Sequence, residues 1–116
     1  MSALTELNHM FDGMHIPVET GVFSDEAPFI YAVLTPLSDV FGLHADNMPQ
    51  IDVQEVRISL YTKNSYTQIK NSLVRQLVLS GFTITDRRYL GFETDTGYHH
   101  YAVDAAKHYE YETEEE

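Results

Sequence analysis

The sequence has no cysteine, and its few basic residues are confined to one half of the chain. Without cysteine there is no disulfide, no thiolate zinc site and no thiol nucleophile. All seven lysines and arginines lie at or beyond Arg57, so residues 1–56 carry only acidic charges, and the net charge is -11. Such a surface repels phosphates, which argues against a grip on nucleic acid or on an anionic membrane. It suits a basic protein partner, or a passage through which DNA slides without sticking.

Long apolar runs and glycine clusters are also missing. No stretch approaches the ~18 continuous apolar residues of a membrane span, and residues 1–11 lack the basic start and apolar segment of a signal peptide. The six glycines are scattered singly, so there is no glycine-rich phosphate loop. We therefore expect a soluble protein that is not exported. Its length fits one domain, residues 1–109, followed by an acidic tail, residues 110–116, that should fray.

Two segments show the helical spacing of apolar residues. The first begins after Ser2, which is a suitable N-cap, and is expected to end at Gly13. The second should be capped by Asn64 or Ser65 and should end at Gly81. Their apolar stripes are Leu4, Leu7, Met10 and Phe11 in the first segment and Ile69, Leu73 and Leu77 in the second.

Strand patterns occupy most of the remaining chain. The apolar run 29–34 predicts a buried strand, and residues 51–60 predict the longest strand, with a bulge near Gln54 where the alternation shifts by one. Residues 82–92 and 98–105 predict a hairpin around a turn at Asp95–Gly97.

Two segments between these patterns are less regular. Pro17 limits residues 16–22 to an edge or irregular strand. Leu37–Gln50 contains glycine, proline and turn formers and predicts a long loop. The element order predicts an α+β fold, with a mainly antiparallel sheet of four to five strands and two helices packed on one face.

Candidate chemistry in the sequence is weak. His99 and His100 are adjacent, so on a strand they would point to opposite faces and would not chelate one ion. The acidic pairs Asp25–Glu26 and Asp46–Asp52 lie among turn formers, which indicates solvated turns rather than acid–base pairs. None of the serines lies in a nucleophile elbow. We expect no catalytic residue, no metal and no cofactor, and therefore no enzyme.

Assembly with other proteins is the remaining interpretation. Arg87 and Arg88 beside Tyr89 form the only basic–aromatic cluster, which could contact nucleic acid but is better suited to the acidic half of a neighbouring copy. The eight tyrosines either cover a sheet face or serve an interface. The candidate interface residues are Val40, Phe41, Leu43, Asp46, Asn47, Arg87, Arg88 and Tyr89.

An ordered set of short motifs resembles a known family. The set comprises Ala27–Tyr31, Ala45–Asn47, Ile58–Lys63, and Tyr89 with Glu93 ahead of a tyrosine-rich strand. Together they resemble the small neck and tail proteins of long-tailed, non-contractile bacteriophages and prophages of Gram-positive bacteria. The resemblance covers roughly residues 16 to 109 and points to the tail terminator or tail-to-head joining class.

The resemblance implies a role in the virion. Proteins of this class form a hexameric ring that caps the head-proximal end of the tail tube, without catalysis. The implied partners are copies of the chain, the tail-tube protein and the head-connector or stopper protein, with DNA only as passing cargo and no membrane. The implied location is the virion neck or tail, and the host cytoplasm during assembly.

Two alternatives remain open at this point. One is a head-completion or minor capsid protein with the same element order. The other is an acidic inhibitor or DNA mimic that binds a basic host protein, although its acidic residues are not spaced regularly along a helix or strand as a phosphate mimic would require.

Overall fold

The computed structural model describes residues 2–20, 29–45 and 48–110, and the side chains among them except those of 38–45, 48–51 and 110. The elements are α1 (Ala3–Met14), β1 (Val18–Thr20), β2 (Ile30–Ala45), β3 (Met48–Thr62), α2 (Thr67–Leu79), β4 (Thr83–Glu93) and β5 (Tyr98–Glu110). The strands form one sheet in the order β1-β2-β3-β5-β4. Only β1 and β2 are parallel. The predicted α+β class is confirmed.

Both helices pack on the same face of this sheet, here called the helix face. Phe11 of α1 and Leu73 of α2 belong to one buried cluster with Leu34, Ile58 and Val103 from the three central strands. These residues share a face because cross-strand partners point to the same side. The other side is here called the open face.

Both helices end in the same backbone motif. At the end of α2, the Phe82 N–H donates to the Leu77 carbonyl and the Gly81 N–H to the Val78 carbonyl, with Gly81 at φ +89°. This is a Schellman motif, and it confirms Gly81 as the stop. The predicted N-cap of α2 was wrong, because Tyr66 occupies that position without a side-chain cap.

The predicted end of α1 at Gly13 was wrong. The helix continues to Met14, and His15 takes the left-handed conformation at φ 60°. The N–H groups of His15 and Ile16 then donate to the carbonyls of Asp12 and Phe11. A non-glycine residue thus occupies the position that glycine favours, while Gly13 lies inside the helix, where glycine lowers stability.

This arrangement predicts two stabilising substitutions. His15→Gly should remove the left-handed strain, and Gly13→Ala, whose Cβ would meet nothing within 4 Å, should lower the entropy of the unfolded chain. Each should raise the free energy of unfolding by about 0.5–1 kcal/mol. The urea midpoint should rise with an unchanged slope. His15→Ala is the control, because alanine keeps the strain; stabilisation by that variant would contradict the backbone explanation.

The predicted loop at Leu37–Gln50 is wrong, because residues 37–45 belong to β2 and residues 48–50 to β3, which pair as a hairpin. The register between the two strands shifts at Pro36/Ser38, Phe41/Leu43 and Leu43/His44. The first two shifts lie at Pro36 and Gly42, so irregular pairing accommodates the proline and the glycine within the strand. Pro49 is tolerated in β3 because pairing with β5 begins only at Ile51, so no ladder hydrogen bond is lost on that side.

The bulge expected near Gln54 lies instead in β2, at Leu37. Pairing between β3 and β5 runs from Ile51 to Thr62 without a shift. Alternate residues of β3 therefore stay on alternate faces, and Val53 lies on the open face with Arg57 and Tyr61.

A polar clasp joins α1, α2 and β5 on the helix face. The Lys107 ammonium donates to Glu6 Oε2 at 2.6 Å and to the Ser80 carbonyl at 2.7 Å, and the Tyr109 hydroxyl donates to Glu6 Oε1 at 2.6 Å. Burial alone would raise the pKa of Glu6, but the bonds from Lys107 and Tyr109 outweigh it and lower that pKa. Burial and the bond to Glu6 raise the pKa of Tyr109. The clasp thus joins the first turn of α1 and the C-terminal end of α2 to β5.

Candidate assembly surfaces

Arg87, Arg88 and Tyr89 lie on β4, an edge strand, but they do not form one cluster. Arg87 pairs in register with Val103, so it lies on the helix face. Arg88 pairs with Ala102 and lies on the open face. The alternation along the strand therefore divides the predicted basic–aromatic cluster between the two sides of the sheet.

Two of these three side chains are already engaged. The Arg88 guanidinium contacts Asp86 Oδ2 through Nη2 at 2.6 Å and through Nε at 2.9 Å. Tyr89 stacks on Tyr66 with ring centroids 4.8 Å apart, and its hydroxyl hydrogen-bonds His99 Nδ1 at 2.8 Å. Arg87 is exposed. Of the three, Arg87 is best placed to contact another molecule.

The cations of the chain divide into two sets. Arg57, Arg88 and Lys107 form ion pairs, and the Arg57–Asp104 pair is bidentate at 2.8 and 3.0 Å. Within the described residues, the other four cations form no ion pair. They are Lys63, Lys70, Arg75 and Arg87.

Three of these unpaired cations lie on the same side of the molecule. Lys70 and Arg75 belong to α2, which contacts β4, and Arg87 lies on the helix face of β4. The sequence of α2 contains no acidic residue. We call Lys70, Arg75 and Arg87 the basic face.

Exposed apolar side chains accompany the basic face. Val78 and Leu79, at the end of α2, are 58% and 73% exposed. The sequence interpretation did not select them. The stripe of Leu73 and Leu77 could have indicated them, because residues one and two positions after a buried stripe project away from the core.

Two acidic residues near the opposite edge of the sheet lie on different faces. Asp12, in the last turn of α1, is exposed over the helix face. Glu19 on the edge strand β1 pairs in register with Val33, so it lies on the open face. A cavity of about 410 Å³ opens beside Asp12 between α1 and β1. Four strand spacings separate β1 from β4, which is ~19 Å. Asp25 and Glu26, also acidic, lie outside the described residues.

The predicted interface residues within the segment Leu37–Gln50 lie on a separate part of the molecule. Val40, Phe41 and Leu43 belong to β2, and Asp46 and Asn47 lie outside the described residues. Because β3 and β5 separate β2 from β4, the structure does not bring this group together with Arg87–Tyr89.

A row of stacked rings crosses the open face. Tyr31 stacks on Tyr61 with ring centroids 4.7 Å apart, and Tyr61 stacks on His100 with centroids 4.2 Å apart. The ring of Tyr98 meets that of Tyr31 edge-on, with centroids 5.3 Å apart. Burial and the neighbouring tyrosines raise the pKa of Tyr31 to about 12. Burial lowers the pKa of His100. The rings mainly pack against one another and cover one end of this sheet face, across β2, β3 and β5.

The tyrosines of β5 are not all on one face. Tyr98 packs in the open-face row, whereas Tyr101 belongs to the helix-face core and Tyr109 to the clasp. Tyr111 lies outside the described residues.

The adjacent histidines point to opposite faces, as expected. His99 bonds to Tyr89, whereas His100 stacks on Tyr61 on the open face. Among the described residues, no three side chains of His, Cys, Asp or Glu lie close enough together to hold a metal ion.

The comparisons with known proteins add no relative. No family model matches the chain, and no curated protein matches it. In the part of the chain that the structure describes, neither helix is long and apolar enough to cross a membrane.

Proposed function

We propose that this protein is a structural component of a bacteriophage virion, a tail terminator or tail-to-head joining protein whose copies form a ring at the head-proximal end of the tail tube. The observation that carries the proposal is the β2–β3 hairpin, which extends past the edge strands β1 and β4. The motif resemblance supports the same role.

The end of the hairpin has fewer partners than the body of the sheet. Pairing of β4 with β5 begins at the Thr83–Ala106 pair, so from Gln54 outward the hairpin has β5 as its only neighbouring strand, and beyond the Leu43–Ile51 pair it is two-stranded. We call residues 40–45 and 48–53 the arm. The protein is correspondingly long, with extents of 54 × 25 × 22 Å. A two-stranded ribbon is marginally stable in water unless it packs against another surface. An arm of this kind suits a subunit that is completed by its neighbours.

The sequence of the arm favours a protein partner. Val40, Phe41 and Leu43 provide apolar area within three positions of one another. Apolar and aromatic residues of this type supply the central contacts of protein interfaces. We assign the arm to contacts with the tail-tube protein or the connector protein, and the body to contacts between copies.

The acidic half of the chain suits the same location. Residues 1–56 contain no basic residue. A ring wall of this sign repels the DNA phosphates that pass through it, which limits adhesion during DNA exit.

Phe41→Glu tests the proposal. When the tail-tube protein of the same phage is expressed with the wild-type chain, tubes should be capped and uniform in length under the electron microscope. Phe41→Glu should give uncapped tubes of irregular length, because a charge on the arm opposes its burial in an apolar contact.

Phe29→Glu is the matched control, because Phe29 is 54% exposed and directly precedes β2, at the end of that strand away from the arm. It should cap tubes as the wild type does. Tubes that are capped equally well by the Phe41 variant would contradict the role of the arm. If tubes assembled with the wild-type protein are uncapped and irregular in length, and the wild-type protein binds a basic DNA-binding protein tightly, the inhibitor alternative would be favoured.

A further inference from the structure

We propose that Asn64 is a site of spontaneous deamidation, in which the backbone nitrogen of Ser65 attacks the Asn64 side chain and the amide becomes a carboxylate. Asparagine is one of the thermolabile residues of proteins, and the reaction needs only water as a co-reactant. The inference is independent of the proposed function, because it concerns a covalent change within one copy of the chain.

The link between β3 and α2 leaves both reacting groups free. β3 ends at Thr62 and α2 begins at Thr67. Asn64 and Ser65, between them, are exposed. Neither the Asn64 side-chain amide nor the Ser65 N–H makes a hydrogen bond to any of the described residues. A cavity of about 560 Å³ opens beside both residues and leaves room for a ring to form and for water to enter.

The reaction has two steps. In the first, the Ser65 nitrogen forms a bond to Asn64 Cγ while the bond from Cγ to the side-chain nitrogen breaks. The proton of the Ser65 N–H leaves with that nitrogen as ammonia, and a succinimide ring remains. In the second step, water adds to one of the two ring carbonyls. Opening at Cγ gives aspartate and opening at the main-chain carbonyl gives isoaspartate, so either product carries one more negative charge.

The same dipeptide occurs inside a helix, where the reaction should be blocked. Asn71–Ser72 is also exposed but lies within α2, where each N–H donates to the carbonyl four positions earlier. Attack by that serine nitrogen requires local opening of the helix. Asn8 lies in α1, and its side-chain nitrogen donates to a backbone carbonyl at 2.8 Å. The fold thus selects Asn64 among the asparagines that the structure describes; Asn47 lies outside the described residues.

A carboxylate at position 64 would lie in positive surroundings. Within the described residues its neighbour Lys63 forms no ion pair, and Lys70 lies in the first turn of α2. That turn contains no acidic residue, and Tyr66 at the N-cap makes no side-chain hydrogen bond to it. No side chain therefore offsets the positive end of the helix dipole, and conversion to aspartate should stabilise the start of α2.

Isoaspartate should have the opposite effect. It carries the same charge, but it adds a methylene group to the main chain of the short β3–α2 link. That link is held by the Asn64 N–H, which donates to Thr62 Oγ1 at 3.1 Å. The longer main chain should disturb this bond and the entry into α2.

Timed incubation of the folded protein in mildly alkaline buffer tests the inference. Peptide mass spectrometry follows deamidation at positions 64 and 71 in the same molecules. Position 64 should convert at least about tenfold faster, because the attacking nitrogen at position 72 is released only when α2 opens. In concentrated urea, where both dipeptides are unfolded, the two rates should become similar.

Substitutions at Ser65 provide the matched controls. Ser65→Gly removes bulk beside the attacking nitrogen and should speed conversion at position 64, whereas Ser65→Val should slow it. Neither should change the rate at position 71, which reports whether α2 stays folded. Asn64→Asp should have a higher urea midpoint than Asn64→Gln, because only the aspartate offsets the dipole at the start of α2.

Several results would overturn the inference. They are equal rates at positions 64 and 71 in the folded protein, conversion at position 64 only after unfolding, and a Ser65→Val protein that converts as fast as the wild type. If circular dichroism shows that Ser65→Val is unfolded, Ser65→Gly decides in its place, and an unchanged rate at position 64 would then count against the site. A midpoint of Asn64→Asp at or below that of Asn64→Gln would overturn the assigned effect on α2.

Discussion

Replacing Phe11 with alanine should lower the free energy of unfolding by about 3–5 kcal/mol, as is typical of a large aromatic side chain removed from a core. Phe11 is 0% exposed and is the largest of the fully buried side chains among the described residues. It anchors α1 in the same cluster as Leu34 and Ile58 of the sheet. The cavity left by the ring would loosen the helix that carries Asp12. Urea unfolding followed by circular dichroism measures the loss.

Phe29→Ala is the matched control, because the same side chain is removed where it is 54% exposed. Its cost should stay below about 1 kcal/mol, since most of that ring already contacts water. Similar losses for the two variants would mean that α1 is not held by the buried Phe11 ring.

The sequence predicted the elements whose signals are local. The stripe of Leu73 and Leu77 and the glycine at position 81 together define α2, and both features follow from helix geometry alone. The hairpin of β4 and β5 around Gly97 was predicted for a similar reason, because its alternation and its turn lie next to each other in the chain.

The β2–β3 hairpin could not be predicted in this way. Its proline and glycine residues resemble loop signals, and only the pairing partner shows that register shifts absorb them. Strand formation at such residues depends on the neighbouring strand more than on local preference. His15 is a related case, because the helix continues past Gly13 and a residue other than glycine takes the left-handed position at its end.

The candidate surfaces required the fold. Arg87 and Arg88 are neighbours in the sequence, but strand alternation places them on opposite faces. Lys70 and Arg75 precede Arg87 by a helix and a turn in the sequence, and only the packing of α2 on the helix face shows that the three lie on the same side of the molecule. The division of cations into paired and unpaired sets is also invisible in the sequence, since Lys107 finds its partner 101 positions away.

Lys107→Met should lower the free energy of unfolding by about 2–3 kcal/mol, less than for a fully buried pair because the side chains of Lys107 and Glu6 remain about a quarter exposed. The change leaves the Glu6 carboxylate without its cation and the Ser80 carbonyl without its donor at the end of α2. Methionine retains much of the aliphatic length, so the loss reports mainly on the ammonium group. Urea unfolding of Lys63→Met, which removes an exposed lysine, should show little change.

The pH dependence of the free energy of unfolding tests whether the clasp causes the loss of stability in Lys107→Met. Because the folded state lowers the pKa of Glu6 from its ordinary value of 4.5, the carboxylate contributes stability above that pH, and the contribution is lost as pH falls through the lowered pKa. Lys107→Met removes the main cation responsible, so the stability of the variant should fall less steeply below pH 4.5 than that of the wild type. Equal acid sensitivity in the two proteins would show that other carboxylates dominate there. Glu6→Gln should lose less stability in the Lys107→Met background than in the wild type, because the two residues act through one shared contact.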